Sequence, residues 1–222
     1  MAGLDVPLAG RAAPRTLPGS MQVRFCDEFE HGFGWIAEEL LVRTSHALVV
    51  DGRVWLLDPV DGEGVEERVR SAGEPAGVIQ LLDRHGRDSA ALARRLGVPH
   101  HVVPRHRLDG APFEFLRVRN WRVWREVALW WPEARVLASA DALVTVSAYR
   151  APGERLSLHP LVRPFPPWRA LEGIEPLHVL CGHGEGVHGG EATPALEHAL
   201  ANARRGLPRA WLNAVRALAK SR

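Results

Sequence analysis

Residues 80–89, Gln-Leu-Leu-Asp-Arg-His-Gly-Arg-Asp-Ser, concentrate several side chains that could do chemistry. His85 and Asp88 lie three positions apart at the start of a predicted helix, where the two side chains can meet. The imidazole could then act as a general base or as a metal ligand beside the carboxylate. Arg84 and Arg87 precede the same helix, and two guanidinium groups beside a helix N-terminus suit a phosphate or carboxylate. Each pattern also has a structural interpretation, in which His85 faces solvent or backbone and the arginines form salt bridges.

Two further groupings of reactive side chains carry weaker signals. Consecutive residues of a strand point to opposite faces, so His100 and His101 cannot easily share one ion. Cys181 lies close to His183, but no third group that would orient a thiol and imidazole pair is visible. Cys26 and Cys181 have no paired spacing typical of zinc or redox sites, and both are predicted to be small buried hydrophobes.

The elements that would position these residues alternate between strands and helices in the first half of the chain. The first strong signal is at residues 47–58, two apolar strands joined at Asp51-Gly52, a pair that favours a tight hairpin turn. A helix at 64–72, a strand at 77–82, a helix at 89–96 that ends at Gly97, and a strand at 99–103 are predicted to follow. This alternation indicates helices packed on a sheet, with loops at strand ends available for a site.

The second half of the chain predicts another sheet. Its strands are expected at 113–118, 122–131, 135–140 and 177–181. Residues 151–176 are rich in proline, which excludes a central strand or a long helix and predicts a rigid surface segment. Helices are predicted at 193–205, where Thr193 can cap, and at 208–220.

Four short segments at the ends of predicted strands together resemble the metallo-β-lactamase fold superfamily, from about residue 42 to residue 205. Leu56-Leu57-Asp58 resembles the family's apolar strand that ends in aspartate, and residues 84–89 lie where its His-x-His-x-Asp-His motif is found. Residues 130–141 resemble its late hairpin, which ends in a metal-bridging aspartate, and Gly182-His183-Gly184 resembles its final turn. The resemblance implies an α/β protein with an αβ/βα four-layer sandwich and two mixed sheets.

In that family, two divalent ions activate water for the hydrolysis of esters, thioesters, lactones or amides. This chain departs from the motif, because Arg84, Gly86 and Ser89 stand at its three histidine positions. Arginine cannot lose its proton to bind a cation. A further histidine expected near residue 122 is also absent. The departures argue against the standard two-metal mechanism.

The resemblance leaves three potential metal ligands, since Asp88, Asp141 and His183 match the family's aspartate, bridging aspartate and terminal histidine. Two carboxylates and one imidazole could hold one divalent ion, such as zinc, manganese or iron, with water completing the coordination. His85, one residue from an expected position, could turn inward as a ligand or base. In the structural interpretation, Asp88 caps a helix, Asp141 anchors a turn and His183 bonds within its loop.

Composition excludes several other classes of protein. The chain has 222 residues, 46% hydrophobic and 24% charged, which is typical of one globular domain. No apolar run reaches the ~20 residues that a membrane helix needs, and residues 1–20 do not resemble a secretion signal. Arginines are interleaved with acids, which does not favour nucleic acid as a partner. We therefore expect a cytoplasmic protein with neither a membrane nor a nucleic-acid partner.

The chain is expected to have three regions. Residues 1–20 are predicted to be a flexible leader, so that Met21 could be the start of translation. Residues 21–207 would form the metallo-β-lactamase-like domain, and residues 208–222 a C-terminal helix packed on it or appended to it.

The residues and the resemblance are compatible with two main functions. The first is a hydrolase-like protein in which at most one divalent metal activates water. The alternative is a metal-free binding or sensor protein that uses Arg84 and Arg87 for an anionic small molecule. In a third hypothesis, a surface rich in tryptophan serves assembly, either into a homo-oligomer or with another protein. Core packing is nevertheless the expected role of the clustered tryptophans, which are Trp121, Trp124, Trp130 and Trp131.

Overall fold

The first half of the chain forms a six-stranded sheet. The computed structural model describes residues 21–39 and 42–220. In sheet order the strands are β1 (Val23–Phe29), β2 (Gly32–Ala37), β3 (Thr44–Val50), β4 (Arg53–Leu57), β5 (Glu74–Gln80) and β6 (His100–Val102). The first four strands are antiparallel neighbours, whereas β5 pairs in parallel with both β4 and β6. The sheet is therefore mixed.

Two helices cover the outer face of this sheet. α1 (Val65–Ala72) connects β4 to β5, and α2 (Ser89–Leu96) connects β5 to β6. Their buried side chains form a cluster with residues of the sheet, which includes Phe33, Trp35, Leu56, Val65, Val69, Val78 and Ala93. Removal of this apolar surface from water holds the helices on the sheet.

The second sheet has five strands in the order β13, β12, β9, β8 and β7. The strands and the small pair β10 and β11 are β7 (Glu114–Trp121), β8 (Trp124–Trp131), β9 (Val136–Ser139), β10 (Leu143–Val144), β11 (Ser157–Leu158), β12 (His178–Cys181) and β13 (Val187–His188). Strand β12 is parallel to β9, and the other pairs are antiparallel. The remaining helices are α3 (Trp168–Leu171), α4 (Ala192–Ala201) and α5 (Leu207–Lys220).

The main core lies between the two sheets. Leu48 and Leu57 of the first sheet belong to the same buried cluster as Leu129 and Leu137 of the second. Leu196 of α4 belongs to this cluster as well. The helix, sheet, sheet, helix arrangement confirms the predicted αβ/βα sandwich with two mixed sheets.

Two elements predicted from local signals are confirmed closely. Asp51 and Gly52, which join β3 to β4, have φ angles of 49° and 75°, both in the left-handed region that a tight hairpin requires. Helix α2 ends at Gly97, which has a φ of 72° and donates its backbone N–H to the carbonyls of Ala93 and Arg94. In both cases the turn residue itself determines the local geometry.

The first strand signal in the sequence lies at residue 47, yet two strands precede it. β1 is an edge strand with only Cys26 buried, whereas every residue of β2 is buried. Neither pattern shows the alternation of a half-buried strand. In β2, a Cβ atom on Gly34 would lie 2.9 Å from Cδ2 of the His46 side chain, so glycine permits close packing of the sheet here.

Asp27 links β1 to the far end of the second sheet. Its carboxylate accepts a hydrogen bond from Gly186 N (2.8 Å) and lies 3.0 Å from Nε2 of His188 and 3.2 Å from Nε2 of His46. Burial by itself would raise the pKa of Asp27, but the bonds from His188 and His46 outweigh it and hold the pKa well below the ordinary value. The charged carboxylate therefore connects the two sheets.

The proline-rich residues 151–176 are not the surface segment that the sequence predicts. Leu156 and Val162 lie fully within the core. Arg163 is also fully buried, where its guanidinium forms an ion pair with Glu154 and donates to the carbonyls of Leu158 (3.0 Å) and Ala203 (3.2 Å). Because the pair neutralises both charges inside the protein, the segment can pack inward without a long helix or strand.

The tryptophan-rich β7–β8 hairpin is divided between core and surface. Trp124 and Trp131 are buried, whereas Trp121 is 43% exposed.

Helix α5 packs through Ala210 and Ala214, which are buried, and Asn213 Nδ2 donates to Arg150 O at 2.8 Å. The predicted leader, residues 1–20, lies outside the described residues. Within the described part of the chain, no helix has the length and apolar character needed to span a membrane.

Candidate metal site

Loops at the carboxyl ends of several strands meet at one edge of the sandwich. His85 follows β5, Asp141 follows β9 and His183 follows β12. β9 and β12 are parallel neighbours, so their carboxyl ends must lie side by side. An isolated bridge between Arg43 and His183 and another between Leu82 and Glu126 join the loops of the two sheets. The fold therefore brings together residues that are far apart in sequence.

His85 is oriented by Asp58, which ends the apolar run of β4. Oδ2 of Asp58 lies 3.3 Å from Nδ1 of His85, and Oδ1 accepts a hydrogen bond from Leu81 N at 2.9 Å. The contact directs Nε2 of His85 toward Asp141, whose Oδ1 is 2.9 Å away. Burial by itself would lower the pKa of His85, but Asp141 and Asp58 outweigh it and raise the pKa to about 9.

Asp141 receives a second imidazole on the same oxygen. Nε2 of His183 lies 3.1 Å from Oδ1 of Asp141, and this oxygen is buried without a hydrogen bond of regular geometry. Burial would raise the pKa of Asp141, but the imidazoles of His183 and His85 outweigh burial and hold it well below the ordinary value. Two imidazole nitrogens and one carboxylate oxygen thus converge on one point.

Glu126 of β8 fixes the backbone that carries Asp141. Its Oε1 accepts hydrogen bonds from the N–H groups of Asp141 (3.0 Å) and Ala142 (2.8 Å) and from the Ser139 hydroxyl (3.0 Å). Oε2 accepts from Trp124 Nε1 at 2.8 Å. Burial and the charge of Asp141 raise the pKa of Glu126 to about 7. Nothing in the sequence indicated this role, because a glutamate inside a strand normally faces solvent.

The donor set of His85, Asp141 and His183 fits a divalent metal ion. One ligand atom from each residue lies within 4.8 Å of the other two. Two imidazoles and one carboxylate are ligands suited to zinc or iron, and sites with three protein ligands leave a position open for water or substrate. Asp58 holds the other ring nitrogen of His85, as outer carboxylates do in metal centres.

Asp88 lies outside this group, although it was expected among the ligands. Its Oδ2 accepts a hydrogen bond from Asp61 N at 2.9 Å, and its side chain forms no capping bond with α2. The expected residues Asp141 and His183 do come together, and His85 supplies the third ligand atom of the cluster. Ser89, which follows Asp88 in the chain, is buried, and its hydroxyl has no hydrogen-bond partner among the described residues.

Arg84 and Arg87, the expected anion-binding residues, contact different partners in the structure. The guanidinium of Arg87 donates to the carbonyls of Thr44 (2.7 Å), Asp58 (2.9 Å) and Gly182 (3.0 Å). Burial lowers its pKa. Arg84 instead lies over the Trp124 ring, 4.4 Å from its centroid, with Nη2 3.9 Å from Asp141. Arg87 is therefore committed to the backbone, and Arg84 lies partly exposed beside the cluster.

Aromatic side chains surround the cluster. The Tyr149 ring lies 6.5 Å from that of His183, and the His159 ring lies 4.7 Å from Tyr149 and 5.4 Å from Trp124. Burial lowers the pKa of His159 to about 4, so this imidazole is neutral at physiological pH. No sequence signal pointed to His159, because it lies in the proline-rich segment predicted to stay on the surface.

Comparison with known proteins identifies the fold. The sequence matches no protein-family model and no curated protein. A structure of the DIM-1 metallo-β-lactamase exposed to ceftazidime matches over 85% of this chain and 98% of its own, with 12% identity and a TM-score of 0.56. A metallo-β-lactamase from Pontibacter korlensis matches over 82% and 100%, with 11% identity and a TM-score of 0.57.

A protein of another kind has the same fold. The apo state of the chemotaxis sensor ODP from T. denticola matches over 82% of this chain and 95% of its own, with 14% identity and a TM-score of 0.53. The chain therefore has the metallo-β-lactamase fold. Since a lactamase and a sensor are both similar to it in structure, the fold leaves the reaction open, and function must be argued from the site.

Proposed function

We propose that this protein is a hydrolase-like member of the metallo-β-lactamase fold that holds one divalent ion through His85, Asp141 and His183. The observation that carries the proposal is the convergence of both Nε2 atoms on the buried Oδ1 of Asp141. The three side chains are 12%, 14% and 9% exposed, which leaves the cluster accessible to a small ligand.

A bound ion would supply a Lewis acid and a water of lowered pKa, suited to hydrolysis of an ester, thioester or lactone. The residues of the chain would prepare the site for it. Asp58 holds the ring of His85 in one orientation, and Glu126 fixes the backbone of Asp141. Arg84, beside Asp141, can contact an anionic part of a substrate.

Only one ion is proposed because a permanent cation already lies beside the cluster. The Arg87 guanidinium is buried, and the charges of Asp58 and Asp141 both act on it. A second divalent ion would have to enter the same buried region against this charge, which costs electrostatic free energy. The metal-free alternative has less support, because both terminal nitrogens of the Arg87 guanidinium donate to backbone carbonyls.

Calorimetric titration of chelator-stripped, desalted protein with zinc, manganese or iron(II) tests the ligand set. We expect about one ion per chain, lost in Asp141→Ala, His183→Ala and His85→Ala. Asp88→Ala is the matched control and should keep the ion, because Asp88 is occupied by Asp61 N. Circular dichroism checks that each variant is folded.

The titration distinguishes between the possible sets of metal ligands. Loss of the ion in Asp88→Ala but not in His85→Ala would replace His85 by Asp88 in the ligand set. Absence of binding by the folded wild-type protein would overturn the metal proposal altogether. For hydrolysis, esters, thioesters and lactones should be cleaved at a rate that rises with the fraction of metal-loaded protein. Equal rates in loaded protein and in Asp141→Ala would contradict catalysis at this site.

A further inference from the structure

A cavity lies away from the metal cluster, between the edge strand β6 of the first sheet and the edge strand β7 of the second sheet. Its volume is about 430 Å³, within the range of small-molecule pockets and too small for a folded partner. None of His85, Asp141 and His183 lines it. The proposed metal chemistry therefore does not account for this cavity.

The wall of the cavity is strongly basic. Four arginines line it, namely Arg105, Arg117, Arg119 and Arg125. Arg125 pairs with Asp83 at 3.1 Å. Among the ion pairs of the described residues, none involves the other three arginines. The charge of Glu126 also acts on Arg119. Two acids against four guanidinium groups still leave an excess of positive charge, which attracts an anion.

Arg119 is the most buried of the four arginines. This residue is only 9% exposed, and its Nε atom is buried without a hydrogen-bond partner among the described residues. Its Nη2 donates to Phe165 O at 2.6 Å, and its guanidinium lies 4.2 Å from the centroid of the Trp121 ring. Burial lowers its pKa. An unpaired buried donor is costly in free energy, and the charge of Arg119 adds to the positive potential of the cavity wall.

The same cavity has an apolar side formed by Phe115 and Val127. Arginine forks match the oxygens of a phosphate group, and an apolar wall favours a ligand that also carries a hydrocarbon or ring portion. The doubly charged phosphate matches the excess of positive charge better than a single carboxylate does. We propose that this cavity binds a small organic phosphate, with the phosphate against the arginines and its apolar part against Phe115 and Val127.

The test uses phenyl phosphate as the probe and inorganic phosphate for comparison, added to metal-free, desalted full-length protein at constant ionic strength. Calorimetry gives both the affinity and the stoichiometry. We expect one saturable site that binds phenyl phosphate more tightly than inorganic phosphate. Arg105→Ala and Arg117→Ala should each weaken binding about tenfold or more, and both side chains are exposed, so folding should be unaffected.

Arg94→Ala is the matched control, because Arg94 is an exposed arginine of α2 that does not line the cavity. It should bind phenyl phosphate as the wild-type protein does. No saturable binding at millimolar phenyl phosphate, or equal losses in Arg94→Ala, would overturn the proposal. Tight binding of a short RNA that is lost in the same variants would assign the surface to nucleic acid instead.

Discussion

Nδ1 of His85 lies 3.3 Å from Oδ2 of Asp58, so the carboxylate that ends β4 fixes the direction in which Nε2 of His85 points. The two residues are 27 positions apart, and the parallel pairing of β4 with β5 brings them together. Outer carboxylates of this kind determine the tautomer and the basicity of a ligating imidazole.

The variant Asp58→Asn should therefore weaken the proposed metal site without removing it. The new side-chain amide keeps an oxygen for the bond to Leu81 N but loses the charge that faces His85. We expect a loss of affinity of about 10- to 100-fold with unchanged stoichiometry, measured by calorimetric titration with zinc. An affinity equal to that of the wild-type protein would show that Asp58 has no role in positioning His85.

Gly182→Ala should displace His183 from the cluster. A Cβ atom at position 182 would lie 2.3 Å from the carbonyl oxygen of Ala140, a backbone atom directly after β9 that already accepts a hydrogen bond from Gly182 N. We expect a stability loss of about 1–3 kcal/mol and weaker metal binding, measured by urea unfolding and titration. The control is Gly190→Ala, where a Cβ meets nothing within 4 Å. Comparable losses in both variants would contradict a specific effect at Gly182.

Glu154→Gln should destabilise the proline-rich segment by leaving the buried charge of Arg163 uncompensated. The expected loss is about 3–5 kcal/mol in denaturant unfolding. The double variant Glu154→Gln with Arg163→Met should lose less than the sum of the two single variants, because the two side chains interact. Glu28→Gln removes an exposed ion pair with Arg68 and should change stability little. A similarly small effect of Glu154→Gln would mean that the buried pair does not hold the segment.

Asp27 should make folding stability depend on acidity. Its pKa is lower in the folded protein than the ordinary value of 3.8, so the unfolded chain takes up its proton first as the pH falls. The contribution is complete above pH 3.8 and is lost as the pH falls below that value. The free energy of unfolding should therefore drop more steeply between about pH 5 and about pH 2 in the wild-type protein than in Asp27→Asn. Parallel profiles would contradict this role.

Local signals in the sequence predicted much of the fold. Helix α2 has the predicted ends because Gly97 can adopt the left-handed φ of 72° that terminates it. The strands that were not predicted are those whose stability comes from distant partners. β2, for example, is buried on both faces by the elements around it, and its glycines give no strand signal.

The candidate site could be predicted only in part, because the side chain that points inward depends on loop conformation. Arg87 adopts a left-handed φ of 39°, which is unusual for a residue other than glycine. The spacing of His85 and Asp88 assumed a regular helical start, whereas this conformation sends the two side chains to different partners. Glu126 and Asp58 were missed as supporting residues, since only the folded sheets bring them to the cluster.

Arg87 also has a consequence for the protein without metal. Its guanidinium bridges the carbonyls of Thr44 and Asp58 in the first sheet and of Gly182 in the second. In many small metalloproteins the folded state exists only when the ion is bound. Here a covalently attached cation, which cannot dissociate, already compensates the carboxylates and joins the two halves of the sandwich. We therefore expect the loops of the site to be ordered before any ion arrives.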